Sequence, residues 1–423
     1  MSTVNRRNFI KLGAAAASTL TLAGQFSTAF AAGSDKIRVG QIGCGGRGQH
    51  DIGCCLRGSE NIELVALGDL FEDRLKGHLN ALKSGELAGK VNVPADRQFV
   101  GWDAYKKVLA CDIDLVLLTQ TPHFRPMHFR AAVEAGKHVF MEKPVAVDPV
   151  GVRHIIESSD MADKKGLKVV AGTQMRRIPH LVDGVKRLRD GEIGDIVSGQ
   201  CVRLGDALMQ WGAMKRKPEW SDMEWHIRRW LFLTWLSGDF IVEQHVHNLD
   251  IVNWVMGGHP VKCIGIGGRM NRTDEIYGDV YDNFAVEYEY ANGVKIAYMG
   301  AQMDGISERC DQNFEGTKGT AYNDFALSVV NGKKYDGPSY DPDLRAHADL
   351  QDAIRNDKKL NEGRQIAESS MTAILGRMSA YTGRALKWDW AMNASKLDLS
   401  PAKYEFGPLP WPKVPIPCKT PLV

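Results

Sequence analysis

The chain has 423 residues, of which 44% are hydrophobic and 25% charged, and its formal charge is +2. This is ordinary globular composition on a chain long enough for two domains with proper cores, which excludes a disordered or fibrous protein. Charge so close to neutral offers no electrostatic reason to bind nucleic acid.

Residues 1–32 carry Arg6, Arg7, Phe9 and Lys11, then a mild apolar stretch from Leu12 to Gly24, then the small-residue triplet Ala29-Phe30-Ala31. This resembles a twin-arginine signal peptide, which implies a periplasmic or otherwise exported protein. The apolar stretch is too short and too rich in Ser and Thr to span a bilayer, and no later segment has the unbroken apolar run of a membrane helix. No membrane partner is therefore expected once the leader is removed. The eight cysteines, including the adjacent Cys54 and Cys55, show neither Cys-x-x-Cys spacing nor a zinc pattern with histidines. Small buried side chains are expected rather than a disulfide framework.

From Lys36 onward the pattern is strand, turn, helix, strand. The runs 37–42, 62–67, 114–119 and 138–143 are rich in Val, Ile and Leu with little alternation, as strands buried on both faces of a parallel sheet are. Helix-length segments separate them, as right-handed crossovers require. Gly43-Cys44-Gly45-Gly46-Arg47-Gly48 fits G-x-G-x-x-G at the end of the first strand. In that setting Gly43 permits a tight turn, Gly45 admits a pyrophosphate, and Gly48 lets helix and strand pack. Asp69 ends the second strand about twenty residues on, where a carboxylate accepts from a ribose 2′-hydroxyl. That favours NAD, while Arg47 and Arg74 keep NADP open by offering a guanidinium to a 2′-phosphate. Residues 169–174 read as the last strand of this half. The expected division is 1–32 leader, 33–155 dinucleotide-binding domain and 156–423 substrate domain.

The second half changes character. Arg176, Arg177, Arg228 and Arg229 are candidate polar contacts to substrate. Five of the ten tryptophans, Trp211, Trp220, Trp225, Trp230 and Trp235, crowd the stretch before residue 238. Aromatic faces stack on pyranose rings, so this density suits a saccharide site, with core packing accounting for some of them. If residues 238–254 form a helix, Glu243, His247 and Asp250 share one face and His245 points elsewhere. A neutral histidine oriented by a carboxylate is a plausible general base. No metal site is expected, because His-x-His does not converge on a helix. Longer strands follow at 196–202, 263–270, 284–290 and 294–299, with Ala291-Asn292-Gly293 as a hairpin turn. Large side chains at Phe284, Val286, Tyr288 and Tyr290 alternate with Ala285, Glu287 and Glu289, which predicts an antiparallel sheet wet on one face. Met371, Ile374, Leu375 and Met378 fall at helical spacing with Gly383 as a stop, and the proline-rich tail from Gly407 reads as extended.

Thr121-Pro122, His128 and Glu142-Lys143-Pro144, added to the glycine turn, closely resemble the Gfo/Idh/MocA oxidoreductases over nearly all of the chain after the leader. The resemblance implies an α/β N-terminal Rossmann domain and an α+β C-terminal domain with an open, mostly antiparallel sheet. It implies NAD(P)-dependent oxidoreduction, with Lys143 at the catalytic centre hydrogen-bonding the reacting oxygen. Cofactor contacts would be Gly43, Gly45, Gly46, Arg47, Gly48, Asp69, Thr121, Pro122, His128, Glu142 and Lys143. In the family the helix at 238–254 often shows Asp-x-x-x-His and a further Asp three positions later; here Glu243 replaces the first Asp. Lys143, His247 and Glu243 are thus the expected catalytic residues, and Arg176, Trp230, Trp235 and Asp250 the expected substrate contacts. The expected reaction moves hydride from a ring hydroxyl of a sugar or glycoside, at C3, to tightly held NAD. The alternatives are a redox-neutral glycosidase or epimerase using transient oxidation, and a non-catalytic sugar-binding protein. An open sheet face suggests a homo-oligomer.

Overall fold

The computed structural model describes residues 36–206 and 214–423, so the leader and Trp211 lie outside the described residues. Six strands form the first sheet: β1 (Ile37–Ile42), β2 (Ile62–Asp69), β3 (Gln98–Val100), β4 (Leu115–Leu118), β5 (His138–Met141) and β6 (Val169–Ala171). Their order is β3-β2-β1-β4-β5-β6 and every pairing is parallel, the doubly wound topology in which the order reverses between β1 and β4. The central runs are apolar throughout because helices cover both faces; every residue of β4 and β5 is buried.

Nine strands form the second sheet: β7 (Ile196–Gly205), β8 (Lys262–Gly268), β9 (Asn283–Glu289), β10 (Lys295–Gln302), β11 (Arg309–Gly316), β12 (Gly319–Asp324), β13 (Ser328–Val330), β14 (Lys333–Lys334) and β15 (Leu386–Lys387). The order is β14-β13-β12-β11-β7-β10-β9-β8-β15, antiparallel except where β10 runs parallel to β7. The hairpin at 291–293 joins β9 to β10, closed by Tyr290 N to Val294 O at 2.9 Å, with Gly293 at φ 82°. Phe284, Val286 and Tyr288 point into the core while Ala285 and Glu287 stay exposed, as their alternation predicts.

The helix Gly363–Thr382 carries Met371, Ile374, Leu375 and Met378 and stops at Gly383, whose φ is 69°. It packs on β8 and on the helix Pro149–Lys164, so one buried helix ties the two sheets together. The expected division after residue 155 is corrected: residue 155 lies inside that second helix, which leads into β6 of the first sheet. A crossover helix belongs with the strand it delivers, which moves the end of the first sheet to Ala171. All eight cysteines are free.

Candidate active site

A cavity of about 960 Å³ runs along the carboxyl ends of β1, β2, β4 and β5, with the second half of the chain as its opposite wall. Ligands of doubly wound sheets occupy this position because the strand order reverses there and leaves a crevice. Its floor is the glycine turn. Gly43 has φ 99°, and a Cβ there would stand 2.5 Å from the Gln120 amide nitrogen. At Gly48 a Cβ would lie 2.4 Å from the Gly43 carbonyl oxygen, so this glycine serves helix–strand packing and does not line the cavity. At Gly45 and Gly46 a Cβ would meet nothing within 4 Å, because both face open space. The helix Gly46–Arg57 that starts here has no side-chain cap and no acid in its first turn. Its amino end is therefore disposed toward an anion in the cavity.

Asp69 faces the same space. Its Oδ2 accepts from the Cys44 amide at 2.7 Å and its Oδ1 from the Phe71 amide at 2.8 Å, while burial pushes its pKa upward. Thr121, Pro122 and His128 also line the wall. His128 stacks on Tyr105 with ring centroids 4.2 Å apart, and burial brings its pKa down to about 3, so it is neutral. The open glycine cradle, the uncapped helix and the carboxylate at the end of β2 fit a nicotinamide dinucleotide. Arg47 takes a different role from the one its place in the motif offered. Its Nε and Nη2 are bound by Glu142, Asp51 and Asp343, at 2.8, 2.9 and 2.8 Å, so three carboxylates already offset the charge that a 2′-phosphate would need. Arg74 lines the cavity near Asp69.

The reacting end is built from both halves of the chain. Lys143 follows β5; its Nζ donates to the Glu243 carbonyl at 2.7 Å and lies 3.3 Å from Glu243 Oε1. The stretch 238–254 is not one helix, contrary to expectation. Gly238 is left-handed, Asp239 has φ 71° and caps a single turn, Phe240–Glu243, and a second helix runs Val246–Met256. Asp239 fixes the start of that turn, because its Oδ2 accepts from the Tyr281 amide at 2.8 Å and the Tyr381 hydroxyl at 2.5 Å. At the break the His245 amide bonds back to Phe240 O at 3.1 Å, and the Glu243 carbonyl is left to accept from Lys143. Interruption of the helix is thus what brings lysine and glutamate together.

His247 lies in the same wall, almost wholly buried, and its Nδ1 has no partner among the described residues. Burial, then the charges of Lys143, Arg203 and Arg47, hold its pKa well below the ordinary histidine value. A neutral imidazole at neutral pH can take a proton. His245 turns away and bonds the Tyr298 hydroxyl at 2.6 Å.

Three expected substrate contacts are corrected. Asp250 is buried and spent on Arg176, with bonds of 2.7 and 2.9 Å, and on Gln365 and Ser369, so neither Asp250 nor Arg176 lines the cavity. One further turn of helix carries residue 250 past the cavity into the packing against Gly363–Thr382. Trp235 packs in a secondary core, its Nε1 donating to His226 Nδ1 at 3.2 Å and its ring set edge-on to His123. Trp220 and Trp225 stack on each other and on Arg228 and Arg229, leaving Trp230 as the described member of that group in the cavity wall.

Sequence reasoning missed Arg203 on β7, Gln174, Gln244 and Tyr404, all of which line the cavity. Arg203 has no motif around it. Tyr404 had a signal, the aromatic residues Tyr404 and Phe406 just before the proline-rich tail and Trp411 within it. Their rings meet Trp102, Phe71 and His226, so the tail is packed onto the cavity rim.

Residues 37–173 match the model of an oxidoreductase family with an NAD-binding Rossmann fold, and residues 185–322 match the GFO/IDH/MocA C-terminal domain. Inositol 2-dehydrogenase 3 of Saccharopolyspora erythraea is 27% identical over 264 residues, 62% of this chain and 65% of the relative. A glycosyl hydrolase family 109 protein of Shewanella baltica is 24% identical over 254 residues, 54% of this chain and 52% of the relative. The matched stretches thus span less than two thirds of either relative. In fold the chain is similar to the WlbA dehydrogenase of Bordetella pertussis, solved with NADH and UDP-GlcNAcA: TM-score 0.64, 18% identity, 83% of this chain and 98% of that one. With both halves of the chain matched by models of one family, on a shared fold and with the glycine turn and Glu142-Lys143-Pro144 at one cavity, the chain belongs to the Gfo/Idh/MocA oxidoreductases.

Proposed function

We propose that this chain is an exported NAD-dependent oxidoreductase that oxidises a ring hydroxyl, at C3, of a sugar or glycoside. One observation carries the reading: Lys143, Glu243 and His247 stand in the same cavity as an open glycine cradle at an uncapped helix end. Bound NAD supplies the hydride acceptor. His247, neutral because it is buried among positive charges, takes the hydroxyl proton as the C–H bond gives up its hydride and the C–O bond becomes a carbonyl. Lys143 donates to that oxygen while alkoxide character develops, and Glu243 fixes the ammonium in place through its carbonyl and carboxylate. Trp230 and Phe325 offer apolar faces in the wall of the cavity. Asp69 near the glycine turn, and an Arg47 already saturated by three carboxylates, favour NAD over NADP.

Export through the twin-arginine route fits a cofactor held through turnover, since free dinucleotide is not expected outside the cytoplasm. The tail residue Tyr404 in the cavity wall supports tight holding. The likeness to a glycosyl hydrolase family 109 protein favours a second reading, in which the 3-keto group acidifies its neighbouring C–H and a glycoside is cleaved before hydride returns. A homo-oligomer through the second sheet is part of the proposal: Ile266, Ala285 and Met299 stand side by side across β8, β9 and β10 on its exposed face.

The test is to denature the purified protein, identify released dinucleotide by mass spectrometry, and follow nicotinamide absorbance and products with a sugar panel. Net NADH with a keto-sugar supports oxidation, and a free aglycone without net NADH supports the second reading. A protein that neither carries nor binds a dinucleotide refutes both.

A further inference from the structure

We propose that Arg203 recognises a carboxylate on the substrate, so that the site takes a uronic acid or its glycoside in preference to a neutral sugar. This rests on the oxidoreductase reading and specifies its substrate class.

The cations around the cavity differ in how they are balanced. Arg47 is held by three carboxylates, Arg228 by Asp73 and Glu224, Lys143 by Glu243 and Lys106 by Asp103, while Arg74, which has no such pair, is exposed to solvent at the dinucleotide end beside Asp69. Arg125 is buried against the backbone carbonyls of Gln120 and Pro144. Arg203 has neutral acceptors alone, Asn248 Oδ1 at 3.0 Å and the Gln244 carbonyl at 3.4 Å, and both bonds leave from Nη1. Among the described residues no carboxylate lies within ion-pair distance of it, and its Nε and Nη2 donate to none of them. A half-buried guanidinium without counter-charge costs desolvation that nothing in the chain offsets. The unused edge, Nε and Nη2, is the fork that matches a carboxylate with two parallel bonds.

Its position suits substrate. Arg203 lines the main cavity and also a second one of about 440 Å³, and Phe325, whose ring centroid lies 5.7 Å from the guanidinium, is shared in the same way. It springs from β7 and reaches the two residues that flank the histidines, Gln244 and Asn248. Asp206 and Glu308 line the second cavity as well, beyond ion-pair reach of Arg203. One unpaired positive charge with acids farther out matches a singly charged carboxylate better than a phosphate dianion. Arg203 is also among the charges that hold His247 unprotonated. A substrate carboxylate would offset that charge and leave His247 more basic once the correct substrate is seated.

The experiment measures kcat/KM by nicotinamide absorbance for methyl glycosides of glucuronate, galacturonate and mannuronate against the matching neutral hexosides. The same hexosides as 6-sulfates and 6-phosphates form a third arm, and dinucleotide binding is followed by tryptophan fluorescence. The expected result is a uronoside preferred over its neutral partner by about 100-fold, the range a buried charged partner provides. In Arg203→Met that ratio falls to near one, mainly through KM, and Arg203→Lys keeps part of it. Preference for neutral hexosides, or for sulfates or phosphates, overturns the assignment, as does a ratio unchanged in Arg203→Met. Dinucleotide bound with no uronoside turned over also overturns it while leaving the cofactor site standing, whereas no dinucleotide binding sinks the wider reading.

Discussion

The two ends of the cavity are made from different materials. The dinucleotide end is backbone: a glycine turn, the first amides of one helix and a carboxylate at a strand end, all within residues 43–69. The reacting end is side chains from separate parts of the chain, Lys143 after β5, Arg203 on β7, and Glu243 and His247 on either side of a broken helix. The first tolerates little change because there is no room for a Cβ at Gly43 or Gly48, the second because Lys143 and Glu243 form one ion pair and His247 lies buried beside it. A site built on backbone is specified locally, and a site built on side chains is specified by packing.

Breaking the side-chain end gives the largest effect. Lys143→Met is expected to lower kcat by about 1,000-fold, the upper cost of losing one transition-state donor, with dinucleotide affinity little changed in a fluorescence titration. His247→Asn follows, with a loss of about 100-fold or more in kcat/KM. The pH profile sharpens that test. The imidazole is active when neutral and its pKa is held well below 6.5, so activity persists through neutrality and falls only as the pH drops through the depressed value. The asparagine variant should lack that acid limb, and a wild-type limb above 6.5 would contradict the assignment.

Gly45→Val attacks the backbone end by placing a side chain in the open cradle; misplacement of about 1 Å costs about 100-fold in rate, so kcat/KM should fall by about that factor, with weaker dinucleotide binding in the same titration. Tyr404→Ala removes one aromatic wall, worth about 1 kcal/mol, so dinucleotide release measured by stopped flow should quicken by about fivefold. The smallest difference separates two tryptophans. Trp230→Phe should raise KM for sugar by a few-fold, whereas Trp235→Phe should leave KM alone and lower the melting temperature, because Trp235 packs beneath the cavity.

Much of this fold could be read along the chain. Apolar runs separated by helix-length segments marked the parallel strands, Asn292-Gly293 marked the hairpin, and G-x-G-x-x-G marked the cradle, because each follows from a short-range rule of backbone conformation or burial period. Residues 169–174 hold the last strand of the first half, as the sequence predicts, but the division at residue 155 cuts the crossover helix that delivers it, because burial period marks elements and not the limits of a packed unit. Asp250 was misplaced for a related reason: helical spacing put it on one face with Glu243 and His247, but the spacing assumed an unbroken helix. The turn that precedes the break begins at Asp239, whose carboxylate is held by Tyr281 and Tyr381 from distant segments, which no local spacing encodes.

The sequence by itself therefore determined the parallel sheet and the glycine turn, and it named Lys143 and His247, which the fold brings to one cavity, since local geometry and side-chain chemistry are written residue by residue. Tertiary structure alone decided which charges are neutralised. Arg47, Arg176 and Arg203 look alike in the sequence, yet the first two are saturated by carboxylates brought from up to 296 residues away and the third is not. Electrostatic energy depends on distance and burial through space, and neither is a property of position along the chain.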